Sequence, residues 1–441
     1  MKYYLGIDFG TSGVRAIAID QNHEVVATSK SNYDLRDYAT WKIALYEVIA
    51  DLPIAIKSNI FRILIDGTSA TVLLCDRDGK SILPTMIYSD ACPPEVVAQV
   101  QTIAPSKHLT CSSTSSFAKL LTMLEQVNDQ ADDQGRSLYF LHQADWLGYL
   151  LHGKLGISDY HNALKLGYDA FLLNYPNWLQ TWQAQYPLVI LPEVLAPAET
   201  VGFVQREIAV KLGLPNNCAI AAGTTDSNAA FFACVGHSSP DIGTAVTSLG
   251  STMVLKVLSD RPITNADYGI YSHRLEHSQY GCLWLVGGAS NVGGAVLKQF
   301  FSDQQLQEIS DRIDPNVTSS LDYYPLTKKG ERFPLNDPHL IPRLDPRPDN
   351  PVDFLHGLLE SMAKIEAQGY ELLQKLGATS PTQIYTAGGG SKNLVWTKIR
   401  DRYLHSPMRD ASQTEAAYGA ALLTHSQFWD FHHLQRGKSQ N

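Results

Sequence analysis

Two pentapeptides constrain the fold of this chain more than any other feature. Residues 8–12 read DFGTS and residues 248–252 read SLGST, so Asp8, Phe9, Gly10, Thr11 and Ser12 align with Ser248, Leu249, Gly250, Ser251 and Thr252. Each pentapeptide joins two β-rich runs, YYLGI to VRAIAI and AVT to MVLKVL. A strand, a glycine-hydroxyl turn and a second strand are therefore used twice. The repeat predicts an α/β chain of two similar domains facing each other across a cleft, with a phosphate chain clasped between the turns.

Gly10 and Gly13 are expected to reach positive φ and let backbone approach a ligand, while Thr11 and Ser12 add hydroxyl donors. Asp8, at the strand end, suits a hydrated Mg²⁺, which takes one or two carboxylates plus phosphates. A hairpin with a side-chain-capped turn explains the first pentapeptide equally well. The second copy favours the ligand. The letters Asp-Phe-Gly also mark protein kinases, but that fold needs its Gly-rich loop, lysine strand and catalytic loop upstream. Only residues 1–7 precede Asp8.

The remaining organisation is strand, glycine loop and helix in recurring order. ILID and TVLLCD flank GTSA, followed by the Asp78-Gly79 hairpin signal in CDRDGK, and an antiparallel opening sheet is expected. SSFAKLLTMLEQV has helical spacing with Ser115 or Ser116 as its cap, and ADWLGYLLHG ends at Gly153. CAIAAGTTDSNAAFFACVG is a buried strand and a Gly-Thr-Thr-Asp loop entering a helix. CLWLVGGASNVGGAVLKQFF and QIYTAGGGSKNLVWTKIRDRYL repeat that plan, VDFLHGLLESMAKIEAQGYELLQKLG is one long amphipathic helix, and TEAAYGAALLTH is a closing Ala-rich helix. The Pro-rich segment LTKKGERFPLNDPHLIPRLDPRPDNP reads as an ordered surface loop.

Asp226 in AGTTDS could cap its helix. Beside Asp8 and two glycine turns, the better reading is a general base, because phosphoryl transfer to an alcohol needs an acceptor for the hydroxyl proton. AGGGSKN at 387–393 is either a tight connection or a shelf for a nucleoside, with Asn393 available to hydrogen-bond. Dinucleotide and P-loop patterns both fail, because Asn393 stands where the first wants glycine and Gly294 where the second wants lysine. No Gly-x-Ser-x-Gly or His-Glu-x-x-His occurs, and His161 is expected to be structural.

Bulk properties exclude other classes. A formal net charge of -9 over 441 residues disfavours a nucleic-acid binder. The six cysteines are scattered and form no Cys-x-x-Cys pair, as expected of thiols in a reducing compartment. No apolar run approaches the ~18 residues of a membrane span. A cytoplasmic protein acting on small molecules, with neither nucleic-acid nor membrane partners, is expected.

These motifs, in this order from about Tyr4 to about Leu423, resemble the FGGY carbohydrate kinases of the actin and hexokinase superfamily. DFGTSGVRA and TSLGST look like the family's two phosphate motifs, and LGLPNNCAIAAGTTDSNAA resembles the signature with the catalytic aspartate. GGASNVGGAV, GERFP, AGGGSKNLVW and EAAYGAALL are similar to later family segments. The resemblance implies two ribonuclease-H-like domains, residues 1–233 plus 409–441 and residues 234–408, with ATP and Mg²⁺ as cofactors and a C-terminal helix returning to the first domain. It places catalysis on Asp226 and Asp8, metal on the same pair, and sugar on Asp8, Thr11, Ser69 and Asp226. Nucleotide contacts fall on Thr11, Ser12, Gly250, Ser251, Thr252, Gly293, Gly388, Gly389 and Asn393.

Xylulose kinases usually carry Gly-Gln on the sugar strand, where IDGTSATVLL puts Thr68 and Ser69, and MIYSDAC replaces their Trp-x-Asp-x-Arg run. The DGTSATVLLCDRDG and SSTSSFAKLL runs look most like a short branch of cyanobacteria and plants whose activity is assigned to D-ribulose. A ketopentose kinase making D-ribulose 5-phosphate is the resulting expectation, with xylulose or pentitols as alternatives. The rivals from other classes are an actin-like ATP-driven switch and a sugar sensor.

Overall fold

A computed structural model describes residues 1–129, 137–236, 240–411 and 413–425. The chain divides into two compact units: residues 1–237, 273–281 and 415–441 form the first, and residues 238–272 and 282–414 the second.

In the first unit, β1 (Tyr3–Gly10), β2 (Gly13–Ile19) and β3 (Val25–Ser31) form an antiparallel meander, and β4 (Ile60–Gly67) lies parallel to β1. Beyond β4 come β5 (Thr200–Phe203) and β6 (Ala219–Ala221), giving the order β5-β6-β4-β1-β2-β3, while the short β7 (Thr224–Thr225) also pairs with β4. β1 and β4 are almost continuously apolar and buried, as expected of strands covered on both faces.

The expected antiparallel opening sheet therefore extends only to β3. Ile60–Gly67 joins it in parallel, whereas Val72–Cys75 pairs with Leu138–His142 in a separate three-stranded sheet. The intervening GTSA turns the chain out of the first sheet, with Ala70 in left-handed backbone at φ 65°.

Helix α1 (Tyr38–Ala50) covers one sheet face through Trp41, Leu45 and Val48, all fully buried. Helix α2 (Ser116–Asp129) is capped by Ser115, whose hydroxyl accepts from the Ala118 amide at 3.1 Å. Helix α3 (Gln143–His152) opens with a reciprocal cap, the His142 amide donating to Asp145 Oδ2 at 2.9 Å, and ends at Gly153 with φ 76°. Helix α4 (Asp226–Val235) follows β7 directly.

The second unit repeats the plan. β8 (Thr244–Leu249) and β9 (Met253–Ser259) form the second hairpin, β10 (Gly281–Ser290) pairs antiparallel with β9, and β11 (Gln383–Ala387) lies parallel to β8. β12 (Met408–Asp410) pairs parallel with β11, giving the run β10-β9-β8-β11-β12 within a six-stranded sheet. Three antiparallel strands followed by a parallel neighbour to the first is the layout of β3-β2-β1-β4. The internal repeat is therefore architectural as well as textual.

Helix α5 (Pro351–Lys375) is the long amphipathic element, and α6 (Leu394–Leu404) packs beside it. A buried ion pair joins them, Arg400 Nε to Glu366 Oε2 at 2.6 Å. Glu366 also accepts from the Thr247 hydroxyl on β8, and Arg400 donates to Thr386 on β11. Thr247 and Thr386 are register partners, so one charge pair ties both strands to both helices.

Helix α7 (Ala416–His425) belongs to the first unit, where Ala417, Ala421 and Leu422 pack with Tyr4 of β1 and with Ile17 and Ile19 of β2. A Cβ on Gly6 would fall on the Ala417 carbonyl oxygen, and one on Gly419 on the Ala229 carbonyl of α4. Small residues thus let strand and helices approach to backbone contact. None of the six cysteines is in a disulfide, and among the described residues no helix is long and apolar enough to cross a membrane.

Candidate active site

The first turn is a two-residue loop, with Gly10 opposite Gly13 and Thr11 and Ser12 exposed at its tip. Only Gly13 has positive φ, at 133°, whereas Gly10 remains in β1, so the expectation of two such glycines holds at one. The reason is register: Gly10 still pairs across the hairpin and needs ordinary strand geometry.

β1 brings Asp8 to its carboxyl end, and β4 places Asp66 beside it as its Cα partner. β7 pairs Thr224 with Asp66 and leads directly into Asp226. Three aspartates from three segments therefore share one field. Burial pushes the Asp8 carboxyl up to about 6; a hydrogen bond from Asp66 lowers it, Asp226 raises it further, and Arg15 pulls it down. Burial, the charge of Asp8, its hydrogen bond and Asp226 all raise Asp66 well above the carboxylate range.

Ionised carboxylates only accept, so Asp8 Oδ1 and both Asp66 oxygens lack a donor when charged. A proton on Asp66 creates the hydrogen bond between the two. Asp66 is fully buried and was not singled out in the sequence. Its signal is an aspartate closing the apolar run ILID immediately before glycine.

Asp226 is the first residue of α4, with Thr225 in the cap position, so it does not serve as the N-cap. Its Oδ1 accepts from the Ser227 amide at 2.7 Å. Among the described residues no group of three or more His, Cys, Asp or Glu side chains is arranged to hold a metal ion. The donor-poor Oδ1 of Asp8, with Asp226 nearby, does fit Mg²⁺ of the kind that takes few carboxylates and fills its shell with water and phosphate.

The loop after β4 separates two hydroxyls that are adjacent in sequence. Thr68 is buried, its Oγ1 within 3.0 Å of Gln143 Oε1 and 2.6 Å of Thr71 Oγ1. Ser69 is the one residue from Ile63 to Cys75 that is not fully buried. Thr68 is thus held internally, and Ser69 is the hydroxyl open to a ligand. The buried Lys119 fixes this loop by donating to the Ala70 carbonyl at 2.7 Å and the Ile87 carbonyl at 2.6 Å.

In the second unit, three glycine loops gather at the ends of β8 and β11. The second turn is one residue longer than the first, Leu249 pairing with Met253 around Gly250, Ser251 and Thr252. A Cβ on Gly293 would lie 2.5 Å from the Ser251 carbonyl oxygen, and the Gly294 amide donates to the Gly250 carbonyl at 2.8 Å. Gly293 therefore carries the turn on its backbone. Glu331 of GERFP secures the same loop, accepting from the Ser290 hydroxyl at 2.7 Å and the Asn291 amide at 2.8 Å.

Gly388, at φ 81°, packs against the Leu249 carbonyl, whereas Gly389 faces open space, with nothing within 4 Å of where a Cβ would stand. Asn393 is the N-cap of α6: its Oδ1 accepts from the Trp396 amide at 2.9 Å and its Nδ2 donates to Ser310 at 2.8 Å. The expected availability of Asn393 is correspondingly reduced to one amide hydrogen and one lone pair.

Two other constellations are structural. His161 bridges Thr224 Oγ1 and the Arg274 carbonyl at 2.7 Å each. Asp145, His142 and Ser116 form a hydrogen-bonded chain in the order of a hydrolase triad, but His142 and Ser116 are fully buried. No nucleophile reaches solvent there.

Residues 3–233 match the model of the FGGY family of carbohydrate kinases, N-terminal domain, and residues 245–427 match that of its C-terminal domain. The chain belongs to the FGGY family of carbohydrate kinases. It is an ATP-dependent sugar kinase, a phosphotransferase with sugar and ATP as substrates. A xylulose kinase of Staphylococcus xylosus is 22% identical over 449 residues, covering 96% of this chain and 90% of that protein. The structure of a ligand-bound xylulose kinase from Lactobacillus acidophilus has a TM-score of 0.80 at 17% identity, covering 96% of this chain and 89% of that one. Plasmodium falciparum glycerol kinase with ADP gives 0.80 at 16% identity, with the same coverage of both chains. The two-domain α/β fold of FGGY kinases is shared with both.

Proposed function

We propose that this kinase phosphorylates the terminal hydroxyl of a ketopentose, D-ribulose before D-xylulose, and releases D-ribulose 5-phosphate. The observation that carries the reading is the convergence of Asp8, Asp66 and Asp226 beside a loop whose half-exposed side chain is the small neutral Ser69. Carboxylates accept hydrogen bonds from sugar hydroxyls, and a neutral floor leaves room for an uncharged polyol. The Gly-Gln pair usual in xylulose kinases is absent at Thr68 and Ser69, which supports ribulose over xylulose. The likeness to the D-ribulose branch of cyanobacteria and plants points the same way.

In this mechanism Asp226 accepts the proton of the attacking hydroxyl, and Asp8 orients that hydroxyl. Such a base contributes roughly 10²–10⁴ in rate. Thr11 and Ser69 hold the sugar side, and Thr11 with Ser12 also presents its turn to phosphate. Gly250, Ser251 and Thr252 present amides and hydroxyls to phosphate, Gly293 supports them, and Gly388 and Gly389 leave bare backbone for the nucleoside beside Asn393. Mg²⁺, when bound, would be held by Asp8 and Asp226 and would neutralise phosphate charge.

Asp226→Ala tests the assignment. Ribulose-dependent ADP release is expected to fall at least about 100-fold, with the melting temperature kept. Near-normal turnover would remove Asp226 from the role of base.

A further inference from the structure

We propose that Gln143 and Tyr33 are positioning residues forming a hydrogen-bonded bridge between the sugar-side loop at residues 68–71 and the phosphate turn at residues 10–13. The inference rests on the kinase reading above. Gln143 is fully buried at the first position of α3. Its Oε1 accepts from the Thr68 amide at 3.1 Å and lies 3.0 Å from the Thr68 hydroxyl, and its Nε2 donates to Tyr33 Oη at 3.5 Å. Tyr33 Oη in turn donates to the Gly10 carbonyl at 2.6 Å. Two loops that are distant in sequence are joined through four groups.

Several features mark the bridge as built. Gly67 leaves space for it, because a Cβ there would stand 3.1 Å from Gln143 Oε1 and 3.3 Å from the Ala144 amide. The Gln143 amide donates to the Thr71 carbonyl at 2.9 Å, so backbone and side chain hold opposite ends of one loop. The Tyr33 ring packs on Phe9 with centroids 5.1 Å apart, which fixes its hydroxyl over Gly10. That hydroxyl also feels Asp8, Asp226 and Asp66, so it stands at the carboxylate cluster.

The 3.5 Å step between Gln143 and Tyr33 is the slack link, with little strength at that length. Closing it by a few tenths of an ångström draws the sugar-side loop toward the turn. The bridge thereby relates occupancy beside Ser69 to the placement of Thr11 and Ser12.

Tyr33→Phe and the nearly isosteric Gln143→Met test this by a double-mutant cycle on kcat/KM for D-ribulose. Each single variant is expected to lose about fivefold, the kinetic equivalent of one net hydrogen bond. The double variant should lose about fivefold as well, because either change breaks the same bridge. Multiplicative losses of about 25-fold, or an unchanged kcat/KM in Tyr33→Phe, would overturn the bridge. Should Gln143→Met fail to fold, Gln143→Leu replaces it in the cycle. Wild-type turnover is measured first: no stimulation by any sugar overturns the kinase reading and the bridge's role with it, whereas stimulated turnover with multiplicative losses overturns the bridge alone.

Discussion

Asp8 and Asp66 are register partners on adjacent parallel strands, so two carboxyl groups lie side by side in the buried end of the first sheet. Both carboxyl groups have raised pKa values, so the folded protein binds protons that the unfolded chain releases. For Asp8 the window runs from the ordinary carboxylate value of 3.8 to about 6. Stability contributed by the pair is present at the acid end and is lost as pH rises through the folded values. Asp66→Asn removes the buried charge and keeps a donor for Asp8. Its melting temperature at pH 8 is expected to exceed the wild type's by a few degrees, with the gap narrowing toward pH 5. A lower melting temperature at pH 8 would contradict the assignment.

On the proposed mechanism, catalysis should respond to the same group with opposite sign. Asp8 would have to be ionised to orient a hydroxyl or hold Mg²⁺, so kcat/KM should fall about tenfold per unit below about 6. Saturating Mg²⁺ is expected to move that limb to lower pH, because a cation favours the carboxylate. The pH–rate profile at two Mg²⁺ concentrations measures this, and a limb insensitive to Mg²⁺ would separate Asp8 from the metal.

The glycines of the second unit divide by what a methyl group would meet. Gly389 has open space, so Gly389→Ala should fold normally and raise KM for ATP several-fold, by intruding on the nucleoside rather than on the protein. Gly293→Ala drives a Cβ into the Ser251 and Thr252 backbone, and should cost about 1–3 kcal/mol of stability. Urea unfolding beside ATP titration distinguishes them. A destabilised Gly389→Ala would assign that glycine to packing.

The Glu366–Arg400 pair is fully desolvated. Removing one partner leaves a buried charge, so Arg400→Met is expected to lose about 3–5 kcal/mol, and Glu366→Met with Arg400→Met to recover much of that loss. Chemical denaturation of the single and double variants checks it. Equal losses in both would show that the Thr247 and Thr386 hydrogen bonds dominate.

Much of the architecture was legible because hairpins and strand-loop-helix units are local. DFGTS and SLGST join strands that are neighbours in the chain, and AGTTDS, GGASNVGG and AGGGSKN each span a single connection. Asp66 was hidden because its significance depends on the parallel pairing of β4 with β1, a contact between distant segments. Gln143 and Tyr33 were hidden for the same reason. Asn393 could have been read as a cap, since asparagine before a helical run commonly is one. The separation of Thr68 from Ser69 required the fold, because only burial distinguishes those hydroxyls.

ADP release across D-ribulose, D-xylulose, ribitol and glycerol measures whether this sugar-dependent kinase prefers a ketopentose. Stimulation by sugar, the highest kcat/KM with D-ribulose, and loss of that stimulation in Asp226→Ala are expected. ATP turnover that no sugar changes, or a preference for glycerol over every pentose, would contradict it.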